Sequence, residues 1–135
     1  MKSPNEMRLL ACVGCSEPVY EPRTSDSEIE IGTLDLLALE GALRIKDETG
    51  CTVVALTVGP DSASKAIRTC YNKGCDSGIH IRVPPQLNLD AFSTAKLIAS
   101  AVEKARFDLI LLGDIGTGGS GLVPIYLSQI LKLLL

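Results

Sequence analysis

Aromatic side chains and basic charge are both scarce in this sequence. It contains no tryptophan, two phenylalanines and three tyrosines, and its formal net charge is −3. Proteins that bind nucleic acids neutralise phosphates with basic side chains, and those that bind single strands also stack bases on aromatic rings. We therefore expect no nucleic-acid partner.

Long apolar runs are also missing. No apolar stretch has the roughly 20 residues that a membrane-spanning helix needs, and Met1 to Glu6 lack the apolar core of a signal peptide. The five cysteines are an odd number and are scattered, which indicates a reducing compartment and not a disulfide framework. These features predict a cytoplasmic protein without a membrane span.

Residues that carry catalytic or metal chemistry are few. The only histidine, His80, lies in a strand-like run, with no carboxylate or nucleophile obviously paired with it. Cys12 and Cys15 form a C-x-x-C at the end of the first strand, a pattern that can be half of a redox or metal site. The other cysteines have no regular ligand spacing, so we favour buried core thiols and expect neither a metal site nor a catalytic residue.

Apolar runs alternate with helical patterns along the 135 residues, which we interpret as one domain, residues 1–135. Strands are predicted over residues 8–13, 52–58, 78–83 and 109–112, and helices over 33–49, about 61–73, 90–105 and from about 121. This alternation predicts an α/β protein: a three-layer parallel sheet with helices on both faces. The run 109–112 is continuously apolar, which predicts a strand buried on both faces.

Caps and helix faces can also be predicted. Thr33 and Asp90 are the expected N-caps, and Gly50 and Gly74 the expected helix ends. Two apolar faces are expected to point inward. The first helix has Leu34, Leu37, Ala38, Gly41, Ala42 and Ile45, and the last has Leu122, Ile125, Tyr126, Ile130 and Leu133.

The segment Asp108 to Leu133 reads as strand, glycine-rich loop and helix, an arrangement that can hold phosphate through backbone N–H groups. Gly116, Gly118 and Gly121 have the G-x-G-x-x-G spacing of dinucleotide-binding proteins. However, Asp114 and Ile115 separate the motif from its strand, and no Walker Lys-Ser/Thr pair is present. The loop alone therefore leaves an ordinary surface loop open as an alternative.

The predicted topology adds a second argument for a binding site. Ligands of parallel α/β sheets bind beyond the carboxyl ends of the strands. Gly14, Gly59 and the 113–121 loop each follow one of the predicted strands. We expect these three turns to line one crevice.

Several longer segments resemble one known family. They are DLLALEGALRIK (Asp35–Lys46), ALTVGP (Ala55–Pro60), AIRTCYNKGCDSGIHI (Ala66–Ile81) and DLILLG (Asp108–Gly113), in matching order and spacing. From about Arg8 to Leu131 the chain resembles the beta subunit of electron transfer flavoprotein.

The resemblance implies an adenine-nucleotide-binding, Rossmann-like fold that holds AMP, or FAD in electron-bifurcating members. It also implies a heterodimer with an alpha subunit that carries the main FAD. The pair shuttles electrons from an acyl-CoA or other flavin dehydrogenase to an acceptor, so the subunit is an electron carrier and not an enzyme. The family chain is longer, so we expect either a fragment or a divergent relative whose last strands are missing, with an exposed apolar sheet edge.

The resemblance also places the nucleotide contacts in four parts of the chain. They are Cys12 and Val13; Gly32, Thr33, Leu34 and Asp35; Val58 and Gly59; and Gly113, Asp114, Gly116, Thr117, Gly118, Gly119, Ser120 and Gly121. The chain departs from the family pattern at several of them. Gly32-Thr33-Leu34 replaces the usual Asn-Pro-Phe, Gly14 replaces a basic residue, and Gly119-Ser120-Gly121 stands for Gln-Thr-Gly.

Two further functions use the same predicted fold. One is a stand-alone adenine-nucleotide sensor without a redox role. The other is an enzyme that hydrolyses or transfers an adenylyl group, which ranks last because no catalytic set is evident.

Overall fold

The computed structural model describes residues 2–16, 30–84, 86–87, 89–113 and 121–133, and helices and strands alternate there from residue 33 onward. In chain order the elements are β1 (Arg8–Cys12), β2 (Cys15–Ser16), β3 (Glu30–Ile31), α1 (Thr33–Thr49), β4 (Thr52–Gly59), α2 (Ser64–Lys73), β5 (Ser77–Arg82), α3 (Ala91–Lys104), β6 (Leu109–Leu112) and α4 (Leu122–Leu131). Short 3-10 turns cover Pro4–Glu6 and Asp61–Ala63.

The main sheet has four parallel strands in the order β5-β4-β1-β6. Ala11 of β1 pairs with Ala55 of β4 on one side and with Leu111 of β6 on the other. The predicted parallel α/β architecture is confirmed. Because the chain moves outward from β1 to β5 and then returns to the other side of β1, the strand order reverses between β1 and β6. Such a switch point is where open α/β sheets bind ligands.

Two apolar layers cover the sheet. Leu9, Ala11 and Val13 belong to a cluster that includes residues of α1 and α2, and Leu10 and Cys12 belong to one that includes residues of α3 and α4. All five side chains are fully buried. Burying a leucine or valine stabilises the fold by about 2 kcal/mol, so β1 anchors both layers.

The helix ends follow local sequence signals. Gly50 and Gly74 end α1 and α2 with φ angles of 74° and 126°, as predicted. The Asp90 carboxylate accepts the Ser93 N–H at 2.7 Å and caps α3. The prediction for Thr33 is wrong, because the N-cap is Gly32 and Thr33 is the first helical residue.

The predicted inner faces of α1 and α4 are wrong in part. Leu34 and Leu37 are 58% and 60% exposed, whereas α1 buries Asp35, Leu39 and Ala42. In α4, Leu122 and Ile125 are exposed and Val123 and Leu127 are buried. Neighbouring helical residues point about 100° apart, so an error of one position turns a side chain away from the core.

Strand β6 is not buried on both faces, which corrects that prediction. It is an edge strand within the described residues, Leu109 is 41% exposed, and the rest of the strand is half-buried. A cavity of about 660 Å³ lies beside it and is lined partly by Phe107, Leu127 and Leu131. No helix in the described ranges is both long and apolar enough to span a membrane.

Candidate functional site

The carboxyl ends of β4, β1 and β6 lie together at one rim of the sheet. Cys12, the last residue of β1, pairs with Leu56 of β4 and with Leu112 of β6. The Val13 N–H then donates to the Leu56 carbonyl at 2.8 Å, which continues the pairing beyond the strand. The sheet therefore places Gly14, Gly59 and Gly113 at the same end, as the sequence predicts.

Gly113 packs directly on the first turn of α1. A Cβ atom added there would lie 2.5 Å from the Leu34 carbonyl carbon and 2.6 Å from the Asp35 nitrogen. Real Cβ atoms do not approach backbone this closely. Gly113 thus brings the end of β6 and the beginning of α1 together, and both belong to the predicted site.

The Asp35 carboxylate points into this junction. Asp35 is 2% exposed, and its Oδ2 accepts the Gly14 N–H at 2.8 Å. An ionised carboxylate is costly to bury unless it is hydrogen-bonded, and a position in the first turn of a helix stabilises negative charge. Asp35 therefore fastens the turn after β1 to α1, a supporting role that the sequence pattern does not reveal.

At the end of β1, the side chains of Cys12 and Val13 are buried in the core. Burial, and then the negative charge of Asp35, raise the pKa of the Cys12 thiol well above its usual value. Cys12 is therefore a neutral core thiol. Among the described residues, no group of three or more His, Cys, Asp or Glu could hold a metal ion.

At the end of β4, Val58 is half-buried and Gly59 is buried. The Gly59 carbonyl accepts the Val83 N–H at 3.1 Å and lies 3.0 Å from Nε2 of His80. His80 is thus a half-buried strand residue that contacts the end of β4.

Backbone donors become available where α1 begins. Gly32 is the N-cap, and the first intrahelical bond runs from the Leu36 N–H to the Gly32 carbonyl at 2.9 Å. The N–H groups of Thr33 and Leu34 precede that bond, so the helical ladder does not use them. A helix beginning with free N–H groups attracts anions.

Of the glycine-rich loop 113–121, the structure describes only Gly113 and Gly121. Gly121 is exposed, has a φ of 63° and is the N-cap of α4, which confirms the predicted beginning of that helix. Asp114, Gly116, Thr117, Gly118, Gly119 and Ser120 lie outside the described residues.

The described part of the predicted site offers backbone N–H groups and no cationic side chain. None of the described side chains at the predicted positions is cationic. They belong to Cys12, Val13, Thr33, Leu34, Asp35 and Val58. Backbone N–H groups at the beginning of a helix and in glycine turns bind phosphate without a cationic side chain.

Thr57 is a further polar residue near this rim that sequence reasoning missed. Its side chain is fully buried, and its hydroxyl has no hydrogen-bond partner within the part of the chain that is described. The sequence feature that could have identified it is a threonine near the end of the apolar run TVVALTV. An unpaired buried hydroxyl costs about 1–3 kcal/mol.

We therefore expect Thr57→Val to raise the free energy of unfolding by about 1 kcal/mol in urea denaturation, because it removes the unpaired hydroxyl and keeps the shape. Val54→Thr is the matched control, since Val54 is also buried. That change should lower stability by about 2 kcal/mol. A loss of stability in Thr57→Val would show that the hydroxyl has a partner.

The strand order is that of a Rossmann-like α/β domain. A family model described as "Electron transfer flavoprotein domain" matches residues 24–133. The chain belongs to the electron transfer flavoprotein family.

Individual relatives agree with this assignment. The chain is 34% identical over 105 residues to electron transfer flavoprotein subunit beta of Bacillus subtilis (strain 168), covering 76% of this chain and 41% of the relative. It is 39% identical over 82 residues to the acryloyl-CoA reductase electron transfer subunit gamma of Anaerotignum propionicum, covering 58% of this chain and 31% of the relative. It is 38% identical over 80 residues to the human electron transfer flavoprotein subunit beta, covering 57% of this chain and 31% of the relative. The chain thus spans less than half the length of these relatives.

Proposed function

We propose that this chain is a beta-subunit-like component of an electron transfer flavoprotein that holds AMP or FAD at the rim described above. The match over residues 24–133 is the observation that carries this proposal. The strand order, with a switch point between β1 and β6, supports it independently, because that is where such sheets bind nucleotides.

The residues that would hold the nucleotide are mostly backbone donors. Thr33 and Leu34 would supply N–H groups to a phosphate, and Gly113 and Gly121 would let the chain pass close to it. Asp35 would keep α1 and the turn after β1 in place through its bond to the Gly14 N–H. Bound FAD would supply a redox centre, whereas AMP would fill the site without one.

The partners follow from the family. We propose a heterodimer with an electron transfer flavoprotein alpha subunit, and an acyl-CoA or other flavin dehydrogenase as electron donor. In this arrangement the chain is an electron carrier subunit, as the names of its relatives state for them. We place it in the cytoplasm because its five cysteines are odd in number and scattered, which suits a reducing compartment.

Mass spectrometry of small molecules released from the purified protein tests the proposal, followed by calorimetric titration of the full chain with AMP and FAD. We expect one of the two to be released or bound at one per chain. Pull-down with a co-expressed alpha subunit separates an electron carrier from a stand-alone sensor, which would bind the nucleotide without that partner. No release and no binding of either nucleotide would overturn the proposal.

A further inference from the structure

Two cysteines meet where α2 ends. The N–H groups of Gly74 and Cys75 both donate to the Cys70 carbonyl, at 3.2 and 3.1 Å. Gly74 has a φ of 126° and turns the chain out of the helix. This is a Schellman-type ending, in which the residue after the turn contacts the residue three positions before the helix end. Here those residues are Cys75 and Cys70.

Both side chains belong to one buried apolar cluster. Both cysteines are free thiols, with Cys70 fully buried and Cys75 7% exposed. The residues next to them in the chain, Tyr71, Asn72, Lys73 and Asp76, are all exposed.

A positive charge lies beside Cys75. The Lys46 ammonium donates to the Gly74 carbonyl at 2.7 Å and to the Asp76 carboxylate at 2.9 Å, so it binds the neighbours of Cys75 on both sides. The hydrogen bond from Cys70 and the charge of Lys46 lower the pKa of the Cys75 thiol below its usual value, although burial and Asp76 oppose the shift. A lower pKa increases the fraction of thiolate, which is the nucleophile in disulfide exchange.

We propose that Cys70 and Cys75 are a reactive dithiol that is converted to an intramolecular disulfide by a low-molecular-weight disulfide such as oxidised glutathione. The Cys75 thiolate attacks one glutathione sulfur and releases a glutathione thiolate, leaving a mixed disulfide. The Cys70 thiol then gives its proton to the glutathione thiolate released in the first step and attacks the Cys75 sulfur, releasing the second glutathione. The net reaction oxidises two protein thiols and reduces one glutathione disulfide to two glutathiones.

This site is separate from the nucleotide rim. Cys75 lies two residues before the beginning of β5, and the Asp76 N–H donates to the Val53 carbonyl near the beginning of β4. The dithiol therefore lies toward the amino ends of the parallel strands, whereas the candidate site lies at their carboxyl ends. The inference stands whether or not a nucleotide binds.

Trypsin makes the test direct, because it cleaves after Arg68, Lys73 and Arg82 and so separates the two cysteines. The folded full-length chain is treated with oxidised glutathione, its remaining thiols are alkylated, and it is digested without reductant. We expect the peptides 69–73 and 74–82 to appear joined, two hydrogen atoms lighter than their sum, and to separate after reduction. Separately alkylated peptides, or joining only after denaturation, would overturn the proposal.

Single-cysteine variants test the order of the two steps, whereas the peptide experiment on the wild type tests whether the disulfide forms at all. Cys70→Ser should accumulate glutathione on Cys75, whereas Cys75→Ser should leave Cys70 unmodified. Cys51→Ser is the matched control, because Cys51 is a buried free thiol in the same apolar cluster. It should leave the joined peptide unchanged, and linkage of either cysteine to Cys51 in the folded wild type would contradict the assignment.

Discussion

Gly113→Ala should lower the free energy of unfolding by about 3 kcal/mol and the Tm by about 10 °C. The added methyl would lie 2.5–2.6 Å from the backbone of Leu34 and Asp35, so β6 and α1 must move apart. Urea and thermal denaturation followed by circular dichroism measure both quantities. Because the same junction forms the rim, nucleotide affinity should fall as well.

Gly41→Ala is the matched control for this change. Gly41 lies in α1, and an added Cβ would have ordinary contact with Leu111 at 3.7 Å. Alanine is favoured over glycine inside a helix by about 0.5–1 kcal/mol, so this variant should equal or exceed the wild type. Equal stabilities for Gly113→Ala and the wild type would show that the junction is loose.

Asp35→Ala should also cost about 3 kcal/mol of unfolding free energy. It leaves the buried Gly14 N–H without the acceptor that now lies at 2.8 Å, and an unpaired buried donor retains its full desolvation penalty. Asp35→Asn keeps an oxygen acceptor and should cost about 1 kcal/mol. Chemical denaturation of the three proteins at one pH gives the comparison.

Asp47→Ala provides the reference, because Asp47 lies in the same helix and is exposed. Surface changes of this kind usually stay within about 0.5 kcal/mol of the wild type. If Asp35→Ala and Asp47→Ala were equally stable, the buried carboxylate would not fasten the turn after β1.

Signals that are local in the chain allowed much of the fold to be predicted. The apolar runs gave the strands, and glycine at positions 50 and 74 marked the helix ends because a positive φ suits residues without a Cβ. Asp90 was predictable as a cap because its carboxylate reaches the N–H three residues on. The N-cap prediction for Thr33 was wrong because Gly32, which has no side chain to cap the helix, takes that position.

Features that depend on neighbours distant in the chain could not be predicted. Asp35 looked like an ordinary acidic residue in a first helical turn, and only the approach of Gly14 and Gly113 makes it a buried support. Similarly, the continuous apolar run of β6 suggested a fully buried strand, but its place at a sheet edge leaves Leu109 exposed. The rim itself was predictable, because parallel strands place their carboxyl ends together.

Removing one backbone donor tests most directly whether α1 holds a nucleotide phosphate. Thr33→Pro deletes the first N–H of the helix and preserves the fold, since proline is tolerated in a first turn and Gly32 has a compatible ψ of 148°. Ala91→Pro is the control, because it opens α3 after Asp90, whose ψ is 173°. Calorimetric titration with AMP or FAD should show roughly tenfold weaker binding for Thr33→Pro and wild-type binding for Ala91→Pro. Equal affinities for wild type and Thr33→Pro would contradict a phosphate site at the beginning of α1.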